Sequence, residues 1–241
     1  MLTQLANGVW HEPGAVDILG MPLTSTMTVL RVGDGLLVHS PIAPTPARLA
    51  EVRALGRVEH LYAPNTFHHR WLGDWASAFP EARVHGPAGL LEKRPDLHLG
   101  STAVPDPALA DELDELEIDG FRLQERVLVH RPSGVIVVAD LVHNIGRPDH
   151  LWTRVYAGAM GFYGRVALSG MLRLTAFSDR RAARASLDRL LDLPFDRMIV
   201  GHGDPVLHDA KPALEAAFAW LPPAGSGAVE RGAPLMGQPC G

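Results

Sequence analysis

Apolar segments follow one another along this chain as strands, one helix, more strands, a block of helices and a final strand–helix unit. This order narrows the fold more than composition does. Thr26–Arg31 and Leu36–Ser40 flank Gly33-Asp34-Gly35, the pattern of a hairpin with a glycine-rich turn. Thr45 and Pro46 open a helix with the apolar stripe Leu49, Val52 and Leu55, and Gly56 ends it. Val58–Ala63 reads as a strand. Trp71, Leu72, Trp75 and Phe79 mark one face of a second helix, and Ala82–His85 is another strand. The second half follows the same order, with strands at Leu116–Ile118, Arg126–His130 and Val135–Ala139, the last two joined by the turn Arg131–Gly134. Helical patterns cover 148–175 and 180–191, then come a strand at Arg197–Val200 and a helix at Lys211–Leu221. The expectation is an α/β fold of two sheets with helices outside, a four-layer αββα sandwich; a plain layered α/β fold fits nearly as well. One domain is expected over residues 1–221, with a Gly/Pro-rich tail over 222–241.

Composition excludes some functions. The chain has 241 residues, a net charge of −5 and scattered arginines, so no nucleic-acid surface is expected. Its only cysteine, Cys240, can form neither an internal disulfide nor a thiolate cluster, as suits a reducing compartment. No signal peptide is legible at the start, and a cytoplasmic location is expected. The apolar stretch Leu151–Phe177 is interrupted by Arg154, Arg165 and Arg173 and falls short of a membrane span. It reads as helix core, the alternatives being the wall of an apolar pocket or a homodimer surface.

Three apolar strands end in side chains able to bind a metal. Leu61–Pro64 leads to His68, Val135–Ala139 to Asp140 with His143 three residues on, and Met198–Val200 to Gly201-His202-Gly203. In α/β architectures ligands gather at the carboxyl ends of strands, and imidazole and carboxylate suit zinc, iron and manganese. Gly201 and Gly203 let the backbone turn sharply so that His202 points into a cleft. Each piece alone has a plainer reading: an Asp after a strand is commonly a cap, and a His beside glycines commonly bonds backbone. His11, His85 and His130 lie in or beside strands and read as structural; His143, His150 and His208 read as surface or supporting residues.

Taken together, several segments resemble the metallo-β-lactamase superfamily, and within it the DUF4336 branch. They are Met27–Arg31, Leu37–Pro41, Ala63-Pro-Asn-Thr-Phe-His-His69, Trp75 with Phe79–Ala82, Glu125–His130 and Val138-Ala-Asp140. The resemblance covers residues 5–142 well and the region through Gly203 more loosely. It implies the αββα sandwich with a cleft along one edge of the sheets that holds one or two metals, usually zinc or iron. The family's first loop reads His-x-His-x-Asp-His. Here Thr66 stands at the first His, His68 keeps the second, Arg70 stands at the Asp and Trp71 at the last His. Phe121 stands at the fourth histidine, while Asp140 and His202 keep their positions.

Three ligand positions therefore remain, His68, Asp140 and His202, with His69 and His143 in reserve. A dinuclear site is not expected, because Arg70 puts a cation where a metal-binding carboxylate belongs, and the general base of the usual mechanism goes with that carboxylate. Two His and one carboxylate suit one zinc or one iron ion. The leading expectation is a metal-dependent hydrolase of a small ester, lactone or phosphoester. Arg70 and Asp140 are its candidate catalytic residues, Arg70 pairing with an anionic substrate group. The alternative for Arg70 is a direct ion pair with Asp140 in place of a metal. Two other functions compete: a metal-free binding or structural protein that kept the fold, and an iron-dependent redox or dioxygenase activity.

Overall fold

The computed structural model describes residues 1–18, 20–146 and 150–222. The tail beyond residue 222, including Cys240, lies outside them. In the described residues a six-stranded sheet comprises β1 (Thr3–Ala6), β2 (Val9–Ile18), β3 (Met21–Val32), β4 (Gly35–His39), β5 (Val58–Tyr62) and β6 (Arg83–His85), in that order. α1 (Pro46–Leu55), α2 (Leu72–Ala78) and α3 (Gly89–Lys93) belong to this half. The second sheet uses β7 (Leu113–Glu117), β8 (Arg126–His130), β9 (Val135–Val137) and β12 (Arg197–Ile199), ordered β12-β9-β8-β7. Between β9 and β12 come the two-stranded β10 (His143–Asn144) and β11 (Val166–Ala167), with α4 (Leu151–Ala159), α5 (Gly170–Thr175) and α6 (Arg180–Asp192). α7 (Ala210–Ala217) follows β12.

The four layers follow from strand alternation, since successive side chains point to opposite faces of a sheet. On β3 and β4, Met27, Val29, Leu36 and Val38 pack with Val52, Leu72 and Trp75 of α1 and α2, while Leu30, Val32 and Leu37 face the other way. On the second sheet Val127, Val129, Ile136 and Met198 pack with Ala183, Leu187 and Leu214 of α6 and α7. Leu128, Val135, Val137 and Ile199 turn inward and meet Leu30, Leu37 and Tyr62 between the sheets. Each fully buried aliphatic side chain contributes about 1.5–3 kcal/mol, and three such layers of contact hold the sandwich together.

Several elements depart from the sequence reading. β1 and β2 were not legible, because Pro13 and Gly14 interrupt the strand pattern. β1 covers β2 only as far as His11, so Pro13 sits on an edge where no neighbour requires its missing N–H. Of the helical stretch expected over 148–175, residues 148 and 149 lie outside the described residues, and the rest holds two short helices separated by a loop and β11. Gly161, at φ 77°, takes the left-handed turn that ends α4. α4 and α5 leave Leu151, Trp152, Val155 and Met171 exposed, so this region is not plain core. No helix among the described residues is long and apolar enough to cross a membrane.

Polar residues also occupy the inter-sheet layer. His39, Tyr62 and His85 are register neighbours on β4, β5 and β6 and stack in a row, with centroids 5.7 and 6.0 Å apart. His85 binds Asp106 and His60, whereas among the described residues neither ring nitrogen of His39 has a partner. Burial, then the neighbouring charge of His68, pushes His39 down to about 3; burial, then His60, pushes His85 down to about 4. Both rings fold neutral from an unfolded value near 6.5, so their contribution is complete above that pH and is lost as pH falls toward 4 and 3. Each then costs on the order of 2 kcal/mol at pH 5. Urea unfolding of wild type and His39→Phe at pH 7 and pH 5 checks this. The phenylalanine variant should lose about 2 kcal/mol less between the two pH values; equal losses would refute the assignment.

Candidate metal centre

Three strand ends converge at one edge of the sandwich. The first is the loop after β5. Its Pro64 carbonyl accepts from Arg126 N at 2.8 Å, and Thr66 N donates to Leu123 O at 3.1 Å, which ties the loop to the opposite sheet. The fully buried Asn65 then shapes it: Oδ1 accepts from the N–H groups of Phe67 and His68 at 2.8 and 2.9 Å. This turn directs the His68 side chain inward.

Asp140, after β9, is held by a second device. The fully buried carboxylate of Glu125 accepts from the N–H groups of Ala139, Asp140 and Leu141 at 2.8, 2.8 and 3.0 Å. Asn65 Nδ2 donates to Glu125 Oε2 at 3.0 Å and to Asp140 Oδ2 at 2.9 Å. Burial, then the charge of Asp140, pushes the Glu125 carboxyl up to about 7, while its N–H donors pull the other way. Each Glu125 oxygen faces two N–H donors, so a proton on either would meet a donor and displace a hydrogen bond. That environment suits the carboxylate.

The third strand end carries His202 between two glycines that no other residue could replace at this spacing. A Cβ on Gly201 would lie 2.6 Å from Ala139 O, and one on Gly203, at φ 103°, would lie 2.1 Å from Asn144 O. His202 Nδ1 donates to the Thr24 carbonyl at 2.6 Å, which leaves Nε2 facing Asp140. His68 is arranged alike, with Nδ1 2.6 Å from Ser40 Oγ and Nε2 toward Asp140. Ser40 reaches this position with φ at 51°, an uncommon conformation for a residue with a side chain.

The result is a compact donor set. His202 Nε2 is 3.3 Å from Asp140 Oδ1, His68 Nε2 is 3.5 Å from Asp140 Oδ2, and all three ligand atoms lie within 4.8 Å of one another. Ligands bonded at about 2.0–2.1 Å in a tetrahedron sit about 3.3–3.4 Å apart; the two imidazole–carboxylate separations, each to a different oxygen of Asp140, are of that size, and the set could hold one metal ion. Both imidazoles also have a Nδ1 partner, the outer-shell arrangement that fixes a metal-binding histidine. Burial alone would raise Asp140, but contacts with His68 and His202 hold it well below the usual carboxylate range. Burial lowers His202, and the Asp140 contact outweighs it to leave the imidazole raised.

The other candidate residues lie elsewhere. His69 turns away, with Nδ1 3.2 Å from Arg94 Nη1, and does not join the donor set. His143 is buried rather than on the surface; its ring centroid is 5.4 Å from that of His202, beside the donor set and not in it. Among the described residues Arg70 makes no ion pair, so it does not neutralise Asp140. It is exposed, with its guanidinium 5.0 Å from the Trp71 ring centroid, and it lines the cavity. Phe121 is core, packed 5.0 Å from Phe177. Sequence reasoning passed over Asn65, Ser40 and the Thr24 carbonyl. Asn65, beside Pro64 at a strand end, carried a turn signal; a backbone carbonyl carries none.

The cavity has a volume of about 540 Å³, within the range of small-molecule sites. Gly14, Ala15, Val16 and Ser25 of the β2–β3 hairpin line it on one side, and Trp71 and Arg70 on another. Arg48 also lines it but is paired with Glu12 at 2.7 Å.

Glu125→Gln should destabilise the protein by about 3 kcal/mol, because an amide would point N–H groups at N–H donors. The same change should weaken zinc binding about 10- to 100-fold by releasing Asp140. Urea unfolding and zinc titration measure the two effects, and a glutamine variant equal to wild type in both would refute the role of the cage.

No protein-family model matches the chain, and no curated protein matches it by sequence. Solved structures do. A metallo-β-lactamase from Pontibacter korlensis superposes with a TM-score of 0.60 at 14% identity, covering 92% of this chain and 98% of that one. The metallo-β-lactamase FIM-1 from Pseudomonas aeruginosa, in its mono-zinc form, gives 0.62 at 12% identity, covering 91% and 95%. A metal-soaked flavodiiron core, Flv1 from Synechocystis sp. PCC6803, gives 0.63 at 13% identity, covering 92% of this chain and 60% of that one. The similarity extends over about nine-tenths of this chain in each case, and the chain has the metallo-β-lactamase fold.

Proposed function

We propose that this protein is a metal-dependent hydrolase of the DUF4336 kind with a modified, mononuclear centre, acting on a small ester, lactone or phosphoester. The observation that carries this reading is the donor set itself, in which two imidazoles with fixed Nδ1 partners present Nε2 to one buried carboxylate. His68, Asp140 and His202 would hold one zinc or iron ion. Two neutral imidazoles and one carboxylate carry a single negative charge, which leaves a divalent ion electrophilic. A bound metal supplies Lewis-acid activation and a nucleophile derived from water at neutral pH.

The chain's own residues do the rest. Asn65 and Glu125 fix Asp140, the Thr24 carbonyl sets the His202 tautomer, Ser40 orients the His68 ring, and the β2–β3 hairpin walls one side of the cavity. Arg70, exposed at the cavity wall and without a carboxylate partner, offers its planar donors to an anionic group of the substrate. The second reading is a metal-free binding protein, favoured by the direct contacts of Asp140 with both histidines, which close the site without an ion.

Metal analysis separates the two. Wild-type protein reconstituted with zinc, iron or manganese should retain about one ion per chain by elemental analysis. His68→Ala and His202→Ala should each lose most of it, and Arg70→Ala should keep it. A wild-type chain that holds no ion above background refutes the hydrolase reading.

A further inference from the structure

Ten large apolar side chains are exposed among the described residues, and six of them fall between Leu151 and Leu174. Leu151 and Leu174 are 70% and 79% exposed, and Trp152, Val155 and Met171 are about half exposed. The buried residues of α4 are Thr153 and Ala157, which leaves Leu151, Trp152 and Val155 on its outer side; α5 has no buried residue. Tyr156 of α4 and Met171 and Leu172 of α5 line one apolar hollow together with Phe67, itself exposed. Trp152 lies one turn from Tyr156, and Leu174 one turn from Met171, so the apolar surface continues from that hollow along both helices. An exposed apolar patch of this kind marks an interaction surface.

The same region carries the charge asymmetry of the chain. Between Leu151 and Arg184 stand six arginines and one acidic residue, Asp179, in a chain of net charge −5. Asp179 is engaged as the cap of α6, accepting from Arg181 N and Ala182 N at 2.8 and 3.0 Å. Arg184 pairs with Asp188 at 2.7 Å, whereas among the described residues Arg154, Arg165, Arg173, Arg180 and Arg181 pair with no carboxylate. Arg173 and Arg180 stand over the Trp220 ring, 4.6 and 5.6 Å from its centroid. Stacking holds these guanidiniums in place without neutralising them. Beside the hollow, the Lys93 ammonium lies 4.6 Å from the Phe67 ring centroid.

This combination selects the occupant. A second copy of the face would set arginines against arginines. Aliphatic side chains and a tryptophan beside uncompensated arginines match the boundary of an anionic bilayer: apolar groups enter the acyl region, tryptophan sits at headgroup level and guanidiniums reach lipid phosphates. We propose that the α4–α5 face docks this protein on anionic membranes, with Trp152, Val155 and Leu174 in the acyl boundary and Arg154, Arg173 and Arg180 on the headgroups. Docking of this kind lays the two helices on the surface and requires no spanning segment. It goes beyond the hydrolase reading and does not depend on a bound metal. The hollow shared by the two helices also touches Asp140 and His202, so docking brings the donor set beside the bilayer.

Flotation of the full chain with lipid vesicles tests the surface. Wild type should bind vesicles of phosphatidylglycerol and phosphatidylcholine in about equal parts about 10-fold or more tighter than phosphatidylcholine alone, and added salt should release it. Arg173→Ser combined with Arg180→Ser should weaken binding about 20- to 30-fold, at about fivefold per guanidinium. Trp152→Ser combined with Leu174→Ser should weaken it about 10-fold or more, with circular dichroism unchanged. Arg53→Ser on α1, in the other half of the sandwich, should stay within about twofold of wild type. The docking surface is overturned if wild type floats with neither vesicle or with both alike, or if either folded double variant floats as wild type does. It is also overturned if lipid-free wild type is a dimer by light scattering that the Trp152→Ser, Leu174→Ser variant turns into a monomer, which assigns the face to a second copy. Metal analysis of the same samples is independent: vesicle binding without metal sinks the hydrolase reading alone, and metal without vesicle binding sinks the docking surface alone.

Discussion

Glu125 is a carboxylate with no solvent, placed where three successive backbone N–H groups after β9 would otherwise have no acceptor. Strand β9 ends there, so ladder pairing is unavailable, and burial makes an unpaired N–H costly. Glu125 meets those donors from the neighbouring segment, and its fourth bond, from Asn65, crosses to the loop of the other sheet. The position of Asp140 and the shape of the His68 loop are therefore set by one hydrogen-bond cluster. Pulling any member out leaves a buried charge or a buried donor unmet.

That cluster also carries a charge problem. Glu125 and Asp140 share one Asn65 amide, so two carboxylates sit close together in a low-dielectric edge of the sandwich. Backbone donors offset the first. The second is offset only by what the two imidazoles bring, either a proton or an ion held in common. If an ion is held there, its uptake would compete with a proton at His202, whose affinity for a proton is raised by its contact with Asp140.

The layered fold was readable because strand alternation is strict where both faces are buried: Leu36, Leu37 and Val38 are all apolar and divide between two cores. Strand ends offered His68, Asp140 and His202 among several candidates, since each lies beyond a short apolar run, and the family resemblance reduced them to these three, which the fold brings together. What was hidden depends on contacts between distant segments. Nothing local separates His68 from His69; the Asn65 turn and the Ser40 hydroxyl do so, from 28 residues away in the second case. For Leu151–Phe177 the sequence left helix core, pocket wall and dimer surface open, because a helical apolar pattern does not say which face is covered; Leu151, Trp152, Val155 and Met171 are exposed. Pro13 and Gly14 hid β2, whose register is set by its partner β3 and whose other side is uncovered beyond His11.

The β2–β3 hairpin has a double attachment. Gly14, Ala15 and Val16 line the cavity, and near the same end the Thr24 carbonyl holds the Nδ1 proton of His202. Lifting this end breaks that bond and leaves the imidazole free to carry its proton on either nitrogen. Entry to the cavity and the basicity of one of its three donors therefore share a single mechanical coordinate, with the chain's longest hairpin as the lever.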